Sequence, residues 1–197
     1  MEIKGILKFA KLLNDFQATE RVIYVKDQER MENDVEHSYQ LAMVAWYVVS
    51  TYKLDLDLDK VIKYALMHDM VEVYAGDVDA FDPDPKVHEQ KAEKEHQALL
   101  KLEKEFSEFP EMTNVIEDYE KKEDQESLFV YALDKLIAPV NIYLDNGRTW
   151  NKKQVSLEQI LKNKTPKVKA HPEVEKYFEQ LIELLQLEED KLFKQDD

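Results

Sequence analysis

Only three glycines, Gly5, Gly76 and Gly147, occur in 197 residues. A glycine-rich phosphate loop needs several glycines within a few positions, so these three exclude Rossmann-type and P-loop folds. Apolar residues recur instead at steps of three and four over long stretches, the spacing of helices with one buried face. Scarce glycine and that period together predict an all-α chain.

The net charge is −15. Such a surface repels nucleic-acid backbones, so no nucleic-acid polymer is expected as a partner. An anionic substrate would need local cations, either a bound metal or specific Lys and Arg side chains. With no cysteine, neither disulfides nor thiolate ligands are available. The longest uninterrupted apolar run, Leu41 to Val49, is too short for a bilayer span, so no membrane role is expected. Lys4, Lys8 and Lys11 interrupt the first apolar residues, which is not a signal-peptide layout. A cytoplasmic protein of one domain, residues 1–197, is expected.

Residues 2–17 read as an amphipathic helix, and the mixed polar stretch 18–33 as a loop or short turn. Asn33-Asp34-Val35-Glu36 is a capping sequence that opens a helix over 34–53. A second core helix is expected over 59–74, ended by Gly76. The stretch 77–85, "DVDAFDPDP", holds two prolines and four aspartates and reads as a loop that could close over a substrate. Charged helices follow over 86–106 and from Pro110 to about 122. A strong helix is expected over 125–144, a turn at 145–148, a partly helical Lys-rich stretch over 149–170, and a last amphipathic helix from His171-Pro172. His88, His96 and His171 lie in charged or proline-flanked surroundings and are expected at the surface. The last helix has apolar residues on more than one face (Leu184, Leu185, Leu187), which suggests a homodimer.

The best core helices share an oddity. His37 lies on the face of Leu41, Val44, Ala45 and Val48. His68 lies with Val61, Ala65 and Glu72, and Asp69 with Ile62, Leu66 and Val73. Asp134 lies with Val130, Leu133 and Ile137. Residues three and four apart share a helix face, so each helix aims an imidazole or a carboxylate inward. Buried carboxylates are costly unless paired. A divalent cation between two imidazoles and two carboxylates would satisfy all four, as helix bundles often arrange. The alternatives are ordinary: a core histidine bonded to a backbone carbonyl, or an Asp134 at the surface beside Lys135.

"ENDVEHS" (32–38), "HDMVEVYAGD" (68–77) and "ALDKL" (132–136) resemble the HD-domain metal-dependent phosphohydrolases, closest to the small HD proteins that include bacterial 5′-deoxynucleotidases. The likeness covers roughly residues 1–145, leaving 146–197 as a helical extension with a packing or dimer role. It implies an HD-domain helical bundle with His37, His68, Asp69 and Asp134 as metal ligands. It makes Glu72 and Asp77 catalytic acids beside the metal. The substrate-contacting arginine of that branch, followed there by a tryptophan, has its nearest counterpart in Arg21, followed here by Val22. Lys26 and Arg30 are the other cations nearby.

The implied cofactor is one divalent ion. Nitrogen and oxygen ligands without sulfur suit Mn²⁺, Co²⁺, Fe²⁺, Ni²⁺ or Zn²⁺. The ion would lower the pKa of water and neutralise phosphoryl oxygens. Phosphate release from (deoxy)nucleoside 5′-monophosphates is therefore the expected activity. Alternatives on the same fold are a phosphodiesterase, a nucleotide pyrophosphohydrolase or a di-iron oxygenase. Two-metal relatives usually carry further histidines after the HD pair, whereas His88 and His96 sit in a Lys- and Glu-rich helix. A non-catalytic helical protein stabilised by metal is the third alternative.

Overall fold

The computed structural model describes residues 3–79 and 84–193. Helix α1 (Ile3–Gln17) leads into a hairpin, β1 (Glu20–Tyr24) and β2 (Met31–Asn33), followed by α2 (Asp34–Tyr52) and α3 (Leu58–Met67). Then come α4 (Glu72–Ala75), α5 (Pro85–Glu105), α6 (Pro110–Lys121) and α7 (Gln125–Leu144). The chain closes with α8 (Arg148–Lys153), α9 (Leu157–Val168), α10 (Pro172–Leu187) and α11 (Glu189–Leu192). The all-α expectation holds, with one small antiparallel sheet added. Residues 80–83 of the expected 77–85 loop lie outside the described residues.

Local chemistry sets the helix starts. Asn33 accepts from the Glu36 amide while the Glu36 side chain accepts from the Asn33 amide, a reciprocal capping box. Asp57 caps α3 and Asp124 caps α7. Lys53 ends α2 in the left-handed region, at φ 53°. The buried residues form two apolar groups. The larger joins α2, α3, α7, α9 and α10 around Leu41, Tyr64, Phe129 and Phe178. The smaller gathers Leu12 and Phe16 of α1 with Met70, Leu102 and Ile116. Helix α7 is long and apolar enough to cross a bilayer, but it is the central helix of the bundle and spends those residues on the core, Phe129, Val130, Leu133 and Ile137 among them.

Three expectations change. Residues 18–33 are not a plain loop: Glu20 pairs with Asn33 and Tyr24 with Met31. Val22, Ile23 and Tyr24 are good strand formers, but β2 is only three residues with polar Glu32 and Asn33, too short to show a period of two. The helix expected over 59–74 breaks after Met67. Bonds from Met70 to Met67, Glu72 to Asp69 and Val73 to Met70 span three residues, so the chain tightens through 68–71. His171 is not at the surface. It is 7% exposed at the start of α10, its ring edge-on to Phe129 at 5.1 Å. His96 is exposed on α5, and the side chain of His88 lies outside the described residues.

Candidate metal centre

His37 comes from the second turn of α2, His68 from the residue capping α3, Asp69 from the tight turn after it, and Asp134 from the middle of α7. The four converge. His37 Nε2 stands 2.9 Å from Asp134 Oδ1 and 3.9 Å from Asp69 Oδ2. His68 Nε2 stands 2.9 Å from Asp69 Oδ2 and 3.9 Å from Asp134 Oδ1. His37, His68 and Asp134 are buried, and Asp69 keeps a partly open face. The alternative of a surface Asp134 is thereby excluded.

Hydrogen bonding fixes one imidazole for ligation. His68 Nδ1–H donates to the Ala65 carbonyl at 3.0 Å, so in the neutral ring Nε2 is the lone-pair nitrogen, although, against burial, Asp69 and Asp134 raise the His68 pKa before any ion binds. That Nε2 has no hydrogen bond; its approach to Asp69 is close but not aligned as one. His37 faces Glu32 Oε2 with Nδ1 at 3.7 Å, and both atoms lack a hydrogen bond. Burial first, and then the Arg21 charge, push His37 down to about 4, so it is neutral at pH 7, as a ligand must be. Donor atoms about 2.0–2.2 Å from one divalent ion stand roughly 3 Å from each other. The two 2.9 Å spacings match, the two 3.9 Å spacings are somewhat wider, and an orphaned buried imidazole nitrogen points among them, so the residues fit such an ion.

A second acidic group adjoins the first. Oxygens of Asp34, Asp69 and Glu72 lie within 4.8 Å of one another. Arg21 occupies its edge: Nη1 donates to Asp69 Oδ2 at 2.8 Å and Asp34 Oδ1 at 3.1 Å, and Nε is 3.5 Å from Glu32 Oε2. The hairpin, where sequence predicts a plain loop, is what carries Arg21 there. Lys26 and Arg30 pair elsewhere, with Asp27 and Glu36. Glu72 is 3% exposed with Oε2 unpartnered, and Lys91 Nζ is 3.6 Å from Oε1. Burial, then Asp69 and Asp77, push the Glu72 carboxyl up to about 10. Burial also raises Asp77, outweighing Arg21. Gly76, at φ 78°, turns the chain so that Asp77 faces the same space.

That space is a cavity of about 450 Å³. Arg21, Asp69, Glu72, Asp77 and Asp134 line its metal end. Ile142, Trp150, Val155 and Ile160 give it an apolar wall. Lys135, Lys164 and Lys167 add cations. Segment 146–197, expected only to pack or dimerise, thus builds much of the site. The missed residue is Lys164. It takes a buried position between Ile160 and Val168 on α9, and a lysine at core spacing was the signal available in the sequence.

A model of the HD domain matches residues 13–175. The chain belongs to the HD-domain family, whose members are metal-dependent. It is 31% identical over 134 residues to the 5′-deoxynucleotidase HDDC2 of Mus musculus, covering 66% of this chain and 65% of that protein. With the Homo sapiens protein of the same name it shares 28% over 135 residues, covering 67% and 64%. The chain thus spans just under two thirds of these relatives' length. A predicted metal-dependent phosphohydrolase of Magnetospirillum magnetotacticum MS-1 has the same fold, with a TM-score of 0.80, 24% identity, and coverage of 94% of this chain and 93% of that one.

Proposed function

We propose that this protein is a metal-dependent phosphomonoesterase that releases phosphate from (deoxy)nucleoside 5′-monophosphates. The observation that carries this is the meeting of His37, His68, Asp69 and Asp134 at one end of a cavity that also holds acids, cations and an apolar wall. The deoxynucleotidase names of the relatives support the substrate class. A divalent ion held by those four side chains would supply Lewis-acid charge and acidify water.

The chain's own residues do the rest. Glu72, whose carboxyl burial raises, stands beside the ligands with Oε2 unpartnered, where it can hold or move a proton. Asp77 shares that end of the cavity and orients the reacting groups. Arg21 is kept charged by its acidic neighbours and contacts the substrate. The apolar wall around Trp150 and Ile160 takes the nucleoside and excludes water. We infer one metal ion per chain, because the Arg21 guanidinium already occupies the Asp34–Asp69 edge of the second acidic group.

The test is phosphate release from nucleoside 5′- and 3′-monophosphates with Mn²⁺, Co²⁺, Mg²⁺ or EDTA. Metal-dependent turnover of 5′-monophosphates supports the proposal. No release with any metal sinks it. We also infer a homodimer; on α10 Leu185 is fully buried, while Leu184 and Leu187 stay exposed. Tyr39, Met43, Trp46 and Tyr47 form an exposed stripe along α2 that suits a second copy. A monomeric mass by light scattering would rule this out.

A further inference from the structure

Leu157, Ile160, Lys164 and Val168 are buried along one face of α9, so a lysine stands where the spacing calls for a core residue. Lys164 is 8% exposed and lines the cavity that holds Asp69, Asp134 and Arg21. The other four lysines of that cavity are partnered. Lys91 lies 3.3 Å from Glu95 and 3.6 Å from Glu72, Lys135 pairs with Asp134, Lys153 pairs with Asp79, and Lys167 donates to Asn163 Oδ1 at 3.0 Å. Lys164 has neither an ion pair nor a hydrogen bond among the described residues.

An ammonium held in a largely buried position without a protein acceptor is unfavourable, and nearby cations add to the cost. Burial, and then the charge of Lys135, push Lys164 down to about 7. The Asp134 charge gives some relief, but Lys135 already takes its Oδ2 and His37 its Oδ1. An anion entering the cavity would supply the missing acceptor. A phosphate monoester dianion fits best, because it brings two charges and several acceptor oxygens to a place flanked by Lys135 and Lys167.

We propose that Lys164 binds the phosphoryl group of the substrate, donating from α9 to a non-bridging phosphate oxygen. The identity of the substrate rests on the phosphohydrolase reading above, but the anion site does not. It makes the C-terminal helices part of the binding machinery.

The test is calorimetric titration of inorganic phosphate into the metal-loaded full chain, with acetate as a carboxylate control. Wild type is compared with Lys164→Met and Lys164→Arg. KM and kcat are measured on whichever monoester the wild type hydrolyses. Lys164→Met should weaken phosphate binding about tenfold or more and raise KM more than it lowers kcat. Lys164→Arg should keep most of the affinity. The Met variant should melt no lower than wild type, since it removes an unpaired buried charge. If it does not fold, the Arg variant decides: phosphate bound near wild-type strength supports the site.

Phosphate bound equally well by the wild type and Lys164→Met, or not bound by the wild type, overturns the proposal. Acetate bound as tightly as phosphate also overturns the phosphoryl assignment. If no monoester is hydrolysed yet phosphate binding still depends on Lys164, the function fails and the site stands. If hydrolysis proceeds and Lys164→Met changes neither KM nor phosphate affinity, the function stands and the site fails.

Discussion

His68 directs its Nδ1–H onto the Ala65 carbonyl at 3.0 Å, and so presents Nε2 to Asp69 and Asp134. The bond comes from within the helix that carries the histidine, so the imidazole is oriented before any ion binds. Such an outer partner fixes both tautomer and ring direction. His68→Ala and Asp69→Ala should each cut bound metal from about one ion per chain to a small fraction of that. Elemental analysis after dialysis measures it, and full metal content in either variant would contradict the assignment.

Metal removal should also lower stability. Burial pushes Glu32 and Asp34 up to about 7 despite Arg21 nearby, so this region holds more acid than its cations satisfy. An ion that binds only the folded state at 100 times its Kd adds about 2.7 kcal/mol. For a chain of this size that raises Tm by roughly 5–10 °C. Melting with EDTA and then with excess Mn²⁺ tests it; coincident curves would mean the four side chains hold no ion.

Arg21 ties the hairpin to α2 and to the tight turn at 68–71 through Asp34 and Asp69, and its side chain is 14% exposed. Removing one partner of a buried ion pair leaves the other uncompensated. Arg21→Ala should cost about 3 kcal/mol in the metal-free protein, seen as a lower urea midpoint. A change below about 1 kcal/mol would mean that water already shields these carboxylates.

How much of this site the sequence discloses depends on the kind of signal. His37, His68 and Asp134 interrupt long apolar periods, so spacing points them inward, although it leaves a surface Asp134 open. Asp69 lies in the tight turn after α3, where helical spacing does not set its direction. The 18–33 hairpin is hidden because β2 has three residues, and a period of two cannot be read from three. The break at 68–71 is hidden because its apolar residues, Met70 and Val71, fit a helix as well as a tight turn. Lys164 is legible in principle, at step four from Ile160. Lys162, Lys167 and Lys169 surround it and make the stretch look like a solvated face.

Asp124 gives a pH dependence away from the metal. Burial alone would raise its carboxyl. Bonds from Lys60, the Ser127 amide and the Tyr64 hydroxyl outweigh burial and hold it at about 2. A depressed carboxylate adds stability that is fully present above its unfolded pKa, near 4, and is lost as pH falls through the folded value. Its contribution should fade between about pH 4 and 2. Because Asp124 is partly exposed, the gain is about 1–2 kcal/mol. Asp124→Asn should flatten the acid limb of the stability curve by that amount. An unchanged limb would assign acid unfolding to other carboxylates.

Gly147 links the last helices to the cavity wall. It opens α8 at φ 74°, and a Cβ there would lie 2.2 Å from the Leu192 carbonyl oxygen of α11. Just beyond α11, Phe193 stacks on Trp150 at 4.8 Å, and Trp150 lines the cavity. Alanine at 147 would meet the left-handed backbone cost of about 1–2 kcal/mol. It would also push α11 away, an overpacking cost of about 1–3 kcal/mol. Gly147→Ala should therefore lose roughly 2–5 kcal/mol, lower Tm by roughly 5–20 °C and alter Trp150 fluorescence. Metal content should stay at the wild-type level, because no proposed ligand lies on α8 or α11. Loss of metal without loss of stability would show instead that the C-terminal helices hold the ligands in place.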